Sequence, residues 1–332
     1  MSDEATAAAA EGDGIVHAGV LDGRGGAQPL DWAGVRAWRP DDGALWLHLD
    51  YAHEASRAWL EQESGIDPVA CNALLAEDPR PRGVSMGDAL LVVFRGINVN
   101  RGAQPEDMVS VRMWIEAGRV VTLRHRRLTA MSEQWKLLHA GRGALDPADL
   151  LVRLCEAILR RIGEMVHAID ETVDELEDMV LAEQREELRH RLAEVRRQAI
   201  GLRRFVGPQR DALANTAAED VTWLREPVRL RLREATDRMH RIIEELDAAR
   251  DRAAVTQEEL TSRTSELINR RLYVLSVVAA VFLPLGLVTG LVGSNVGGIP
   301  LSENPYGFLI LLGSLVAISV GQFWLFRKLG WL

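Results

Sequence analysis

Two sets of residues have types and spacing that could do chemistry. The first is His48, Asp50 and His53. A His-x-Asp-x-x-His spacing offers two imidazoles and a carboxylate, a donor set that suits zinc. His48 and Asp50 share one face of a predicted strand, and His53 falls in the turn after it. A structural strand end is therefore the favoured reading. The second set is Ala279, Leu283, Gly286, Gly290 and Gly293, at spacings of four, three, four and three in a run without charge. Small residues in that pattern let helices approach closely or line a narrow path. The spacing leaves pore face and dry packing face equally open. Signatures of catalysis are missing: there is no P-loop, GxSxG, HExxH or cysteine–histidine pattern. The chain does not read as an enzyme.

The elements that carry these residues follow from charge and hydropathy. From Leu272 to Ser302 there is no charged side chain. The apolar runs Leu272–Val292 and Tyr306–Phe326 hold 21 residues each. As helix that is about 31 Å, close to the roughly 30 Å of a bilayer core. Two transmembrane helices are expected. Arg270 and Arg271 precede the first, and Arg327 and Lys328 follow the second. The connecting loop 293–305 has Glu303 as its only charge. Basic flanks stay inside, so both termini should be cytoplasmic in a multi-pass protein of a bacterial-type inner membrane. Met1–Gly14 is Ala-rich and acidic, reads as a disordered tail, and lacks the features of a signal peptide.

Residues 15–226 read as a cytoplasmic α/β and helical domain. Leu45–Tyr51 alternates apolar and polar residues. Ala89–Val99 reads as a buried strand, and Met108–Glu116 with Arg119–Arg124 as a hairpin. Ser56–Glu63 and Pro68–Glu77 read as helical. Asp146-Pro147 opens a long helix to about Ala182, acidic in its second half. The Arg-rich stretch Leu188–Arg210 suggests an antiparallel partner for it. Gly207-Pro208 reads as a break followed by a short helix to about Asp220.

A stalk helix is expected over 227–271. Val228, Leu232, Ala235, Met239, Ile242, Leu246, Ala249 and Ala253 alternate spacings of four and three, with Thr256, Leu260 and Leu267 extending the register. This is a heptad seam. It fits an intramolecular partner or an oligomer equally. The net charge of −9 argues against nucleic-acid binding, and the two cysteines, Cys71 and Cys155, form no disulfide framework. Neither span carries Asp, Glu or His. That argues against carboxylate coordination inside the membrane and for passage of a hydrated ion past apolar constrictions.

The segment from Asn269 to Pro300, NRRLYVLSVVAAVFLPLGLVTGLVGSNVGGIP, resembles the CorA family of divalent-cation transporters, most closely its ZntB-like zinc branch. Trp46-Leu47-His48-Leu49-Asp50-Tyr51, Pro208-Gln209-Arg210-Asp211 and the basic C-terminus 327–332, ending in Trp331-Leu332, extend the resemblance to nearly the whole chain. The motif triplet is Gly293-Ser294-Asn295, in which Ser294 stands where ZntB-like members commonly carry an apolar residue.

The resemblance implies a homopentameric funnel whose stalk helix runs into a pore-lining first span, embedded in a lipid bilayer. It implies a ring of Asn295 amides meeting a hydrated cation at the outer mouth; the alternative is a helix C-cap asparagine. Glu303 would attract cations there, or be an ordinary loop residue. Asn269, Leu272, Leu275 and Leu283 map onto pore positions, the leucines as apolar gates. The implied activity is uptake of divalent cations, zinc first, with proton coupling possible and no resident cofactor. The rivals are a CorA-type magnesium channel, against which the Gly-Gly-Ile-Pro loop argues, and a membrane-anchored scaffold or sensor, which would need neither the glycine stripe nor Asn295.

Overall fold

The computed structural model describes residues 13–181, 186–294, 297, 299, 304–328 and 330. The chain divides into a first unit ending at Gln257 and a second beginning at Glu258.

The first unit is built on a seven-stranded sheet of order β2-β1-β3-β7-β6-β5-β4. The strands are β1 (Ile15–Leu21), β2 (Ala27–Pro29), β3 (Ala44–Asp50), β4 (Arg82–Met86), β5 (Ala89–Gly96), β6 (Val109–Glu116) and β7 (Arg119–Arg124). Neighbours are antiparallel except β3 and β7, which pair in parallel from Leu45↔Arg119 to Asp50↔Arg124. The expected hairpin is β6–β7, turning at Ala117-Gly118.

The alternation in β3 suggests a half-exposed strand, yet Leu45 to Leu49 are all buried. As a central strand it is covered on both faces. Leu45, Leu47 and Leu49 join Leu60, Leu74, Val121 and Leu123 in one core cluster. On the other face Trp46 Nε1 donates to Thr122 Oγ1 at 3.0 Å.

Short helices cover the sheet: α1 (Trp32–Ala37), α2 (Glu54–Ala58) continuing into a π turn at Trp59–Glu63, α3 (Pro68–Leu75) and α4 (Thr129–His139). The long helices are α5 (Pro147–Leu181), α6 (Glu186–Ala218), α7 (Glu226–Val292) and α8 (Gly307–Lys328).

Ion pairs fix how the long helices run. Arg231 meets Asp149 at 2.8 Å and Arg252 meets Asp170 at 2.9 Å, each pair 82 positions apart, so α5 and α7 are parallel. Arg203 meets Asp247, and Arg196 meets Gln257, so α6 is antiparallel to α7. Arg191 reaches Glu175, consistent with the expected antiparallel pairing of acidic α5 with basic α6. The heptad seam of α7 is buried from Leu232 to Ala253, with Thr256 and Leu260 buried beyond it. Val228 and Leu267 are only half-buried.

The expected break at Gly207-Pro208 is absent, because α6 runs through Pro208. Tertiary packing outweighs the local cost of an interior proline. Helix α6 lies against β4 and β5, with Gly83 pressed on Thr216 and Ala212. Gln209 is buried, and its Oε1 accepts the backbone N–H of Arg95. Strand pairing from β4 ends at Arg82↔Val93, so Gln209 takes over where the edge strand stops.

Candidate functional site

His48 and Asp50 are held by the sheet rather than aimed at a common point. His48 is buried, with Nδ1 2.8 Å from Thr122 Oγ1. Desolvation, then the nearby His17 and Arg124, depress its pKa and keep the ring neutral. His17, stacked on Trp135 at 4.9 Å between centroids, is lowered to about 4, chiefly by burial. Asp50 pairs with Arg124 at 3.5 Å. His53 precedes α2 as its N-cap residue. No trio of His, Cys, Asp or Glu among the described residues is placed to hold a metal. His48 and Asp50 are engaged by β7, through Thr122 and Arg124.

The second unit has different chemistry. The end of α7 and the whole of α8 are long and apolar enough to cross a membrane. Their apolar windows are not buried within the chain. Leu272, Phe282, Leu283, Leu287 and Leu291 on α7, with Phe308, Leu309, Val320, Phe323 and Trp324 on α8, are exposed. A soluble core helix would hide such residues; these require an apolar medium or further chains. Both helices have the length and the apolar surface of membrane spans.

Each of them uses one face for the other. On α7, Val277, Ala280, Val281, Leu285 and Val288 are half-buried. On α8, Leu311, Leu315, Ile318, Ser319 and Gln322 are half-buried, and Phe326 is buried. The stripe read from the sequence lies outside that contact, with Gly286 alone bordering a cleft against α8. Asn269, Leu272, Leu275, Ala279, Leu283, Gly286 and Gly290 are all exposed. A Cβ added at Gly286 or Gly290 would meet no atom within 4 Å. Packing between the spans of one chain therefore does not account for these small residues.

At the end of α7 the backbone N–H of Gly293 still bonds Thr289 O at 2.8 Å, and Ser294 Oγ donates to Leu291 O at 2.8 Å. Ser294 thus caps its own helix end. Asn295 and Glu303 lie outside the described residues.

Residues 41–328 match the family model described as CorA-like Mg2+ transporter protein. The chain is 37% identical over 323 residues to a protein of Pseudomonas aeruginosa named divalent cation transporter CmaX, covering 96% of this chain and 97% of that one. It is 37% identical over 320 residues to a zinc transport protein ZntB of Pectobacterium carotovorum, covering 96% of each. The solved structure of full-length CmaX superposes with a TM-score of 0.85 at 36% identity, over 96% of this chain and 98% of that one.

Proposed function

This chain belongs to the CorA-like transporter family, and from that premise we propose that it carries zinc inward across a bacterial inner membrane as a homopentamer. That it is a divalent-cation transporter follows from the family. Zinc comes from the ZntB relatives, which are named for zinc transport. The single observation that supports the assembly is the uncovered stripe from Asn269 to Gly290, which one chain leaves without a partner. Copies arranged around an axis would turn those stripes toward one another and enclose a path that two spans cannot enclose alone.

In this reading the amide of Asn295, repeated around the axis, accepts hydrogen bonds from the water shell of an arriving cation. Small divalent cations dehydrate reluctantly, so holding the shell costs less than stripping it. Gly293 and Ser294 bring the chain to that point, and Glu303 raises the local cation concentration. Rings of Leu272, Leu275 and Leu283 form apolar constrictions that close by dewetting, and Ala279, Gly286 and Gly290 keep the intervening path narrow but passable. Arg270 and Arg271, with Arg327 and Lys328, hold both termini and the sheet domain in the cytoplasm. The membrane potential then drives uptake, with proton coupling as an added possibility that uses water, Glu303 or cytoplasmic groups, since the spans hold no carboxylate or imidazole.

Magnesium is the second reading, favoured by the name of the matching family model. The test is cation uptake into proteoliposomes by wild type and Asn295→Ala, with zinc and magnesium compared. Zinc flux that disappears in the variant supports the outer ring of amides. Flux of magnesium alone moves the chain to the magnesium reading. A zinc flux indifferent to an imposed pH gradient removes the proton-coupled version.

A further inference from the structure

Helix α7 runs unbroken through Pro284 in the middle of its apolar segment. Proline has no backbone N–H, so the carbonyl four residues earlier, that of Ala280, loses its helical partner. Inside a membrane no bulk water replaces that partner, and the freed group must be satisfied by a neighbour. The structure supplies one. Gln322 of α8 donates from Nε2 to Ala280 O at 3.2 Å.

The amide is buried between the spans at a cost of its own, because its Oε1 has no partner among the described residues. A leucine at position 322 would avoid that cost. The donated bond accounts for glutamine here. Beyond the clamp the packing changes. A cleft of about 400 Å³ lies along the spans, with Leu285, Leu315 and Ser319 in its lining, bordered on α7 by Phe282, Gly286 and Thr289 and on α8 by Val316 and Val320. The segment of α7 after Pro284 also carries Gly286, Gly290 and Gly293, residues that resist bending least.

We propose that Gln322 is a positioning residue for transport: by holding the Ala280 carbonyl it fixes the fulcrum at Pro284, about which the outer half of the first span moves to open and close the path. This rests on the reading of that span as pore-lining. The inner half is tied to α8 by the Gln322 bond, and in this proposal the outer half, which meets α8 through Leu285 and Val288 beside the cleft, is the part that swings. Gln322 touches no cation.

The test uses the full-length protein in proteoliposomes. Gln322→Leu removes the donor at similar size, and Pro284→Ala returns an N–H that satisfies Ala280 within its own helix. Zinc flux should fall on the order of tenfold in Gln322→Leu and by less than about twofold when the same change is made on Pro284→Ala, since coupled groups are non-additive. A membrane-impermeant thiol reagent should modify Gly290→Cys at a rate changed about tenfold by Gln322→Leu, and Ala279→Cys, before the fulcrum, at a rate changed less than about twofold. Equal losses with and without Pro284 overturn the proposal, as does labelling of Gly290→Cys that Gln322→Leu does not alter. If Gln322→Leu alone fails to assemble, the pair Pro284→Ala and Pro284→Ala/Gln322→Leu decides: equal flux supports the clamp, and failure of the double variant overturns it. Cysteines that react in no background overturn the pore-lining reading itself and the proposal with it. Cysteines that react at unchanged rates overturn only the clamp.

Discussion

One helix carries two stripes of the same period, and they meet opposite fates. Between Leu232 and Leu260 the seam of α7 is buried. Between Asn269 and Gly290 the stripe is exposed. The spacing of four and three is common to both, so period alone does not choose the partner. What differs is the company each stretch keeps. The buried stretch from Leu232 to Thr256 has α5 and α6 beside it, locked by Arg231, Arg203 and Arg252 to acidic residues. The exposed stretch has only α8, and α8 takes a different face. The first seam interleaves leucine, isoleucine and methionine with alanine; alanine and glycine dominate the outer part of the second, without a methionine or isoleucine between them.

The most forceful way to break this contrast is to remove packing from each stripe in turn. Met239 is fully buried, and Met239→Ala should cost about 2–5 kcal/mol, visible as a lowered thermal midpoint of the full-length protein. Leu272→Ala, on the exposed stripe, should leave that midpoint almost in place and change cation flux instead. Equal stability losses at the two positions would erase the distinction.

Acid should sharpen it next. His48 is buried and His17 half-buried in the sheet domain, their pKa values depressed below the ordinary value near 6.5. Protons bind the unfolded chain first, so stability is full above about pH 6.5 and declines as pH falls toward the folded value, about 4 for His17. The His17 contribution alone is on the order of 3 kcal/mol at the acid end. Thermal melts between pH 7 and 4 should show this loss, and His17→Phe should flatten it. A slope unchanged in the variant would assign acid sensitivity to other groups.

Salt should produce a smaller effect. Arg252 bridges Asp170 and Asp174, and its guanidinium also meets Glu177 at 2.7 Å; hydrogen bonds to Glu177 and then Asp174 raise its pKa. Removing it with Arg252→Ala leaves carboxylates facing one another on α5. The expected loss is about 1 kcal/mol, since the side chains are partly exposed, and it should shrink at high ionic strength. Smallest of all is Gly290→Ala. Helix propensity favours alanine by about 1 kcal/mol at most, and no atom of the chain opposes it. The stability of one chain should hold or rise slightly. Reduced flux with unchanged stability would mark the stripe as a surface used between copies.

Much of this architecture is legible in the residues, and what is not has identifiable causes. The hairpin Val109–Glu116 with Arg119–Arg124 shows because its partners are adjacent in sequence. The two spans show because a charge-free run of that length has few other uses. The seam shows because its spacing never slips. Strands β2 and β4 carry three and five residues, too few to establish a period, β1 (IVHAGVL) does not alternate cleanly, and the parallel contact of β3 with β7 is made between distant segments. Pro208 misleads because its helix is held from outside, by the sheet and by Gln209. Gln322 escapes notice because an uncharged amide barely disturbs an apolar run. Its signal was indirect: a proline at 284 leaves the carbonyl of residue 280 in need of a donor. The positions Asn269 to Gly290 are exposed, but their pore role, like those of Asn295 and Glu303, is a proposal: spacing leaves pore face and packing face open, and only the family likeness favours the pore.

The parallel contact between β3 and β7 also bears on how the chain is made. His48 and Thr122 meet across it from 74 positions apart. Strands β4 to β7 pair with close neighbours and can zip as they leave the ribosome. Strand β3 finds β1 at once, but its other edge must wait until Val120–Leu123 have been synthesised. At about 5–20 residues per second that wait is roughly 4–15 s. For that interval Leu45, Leu47 and Leu49 border an open edge, the interval in which a nascent chain is most exposed to wrong partners. Faster translation between the two strands would shorten the exposure, so codon choice across this stretch becomes a lever on yield that leaves the finished transporter unchanged.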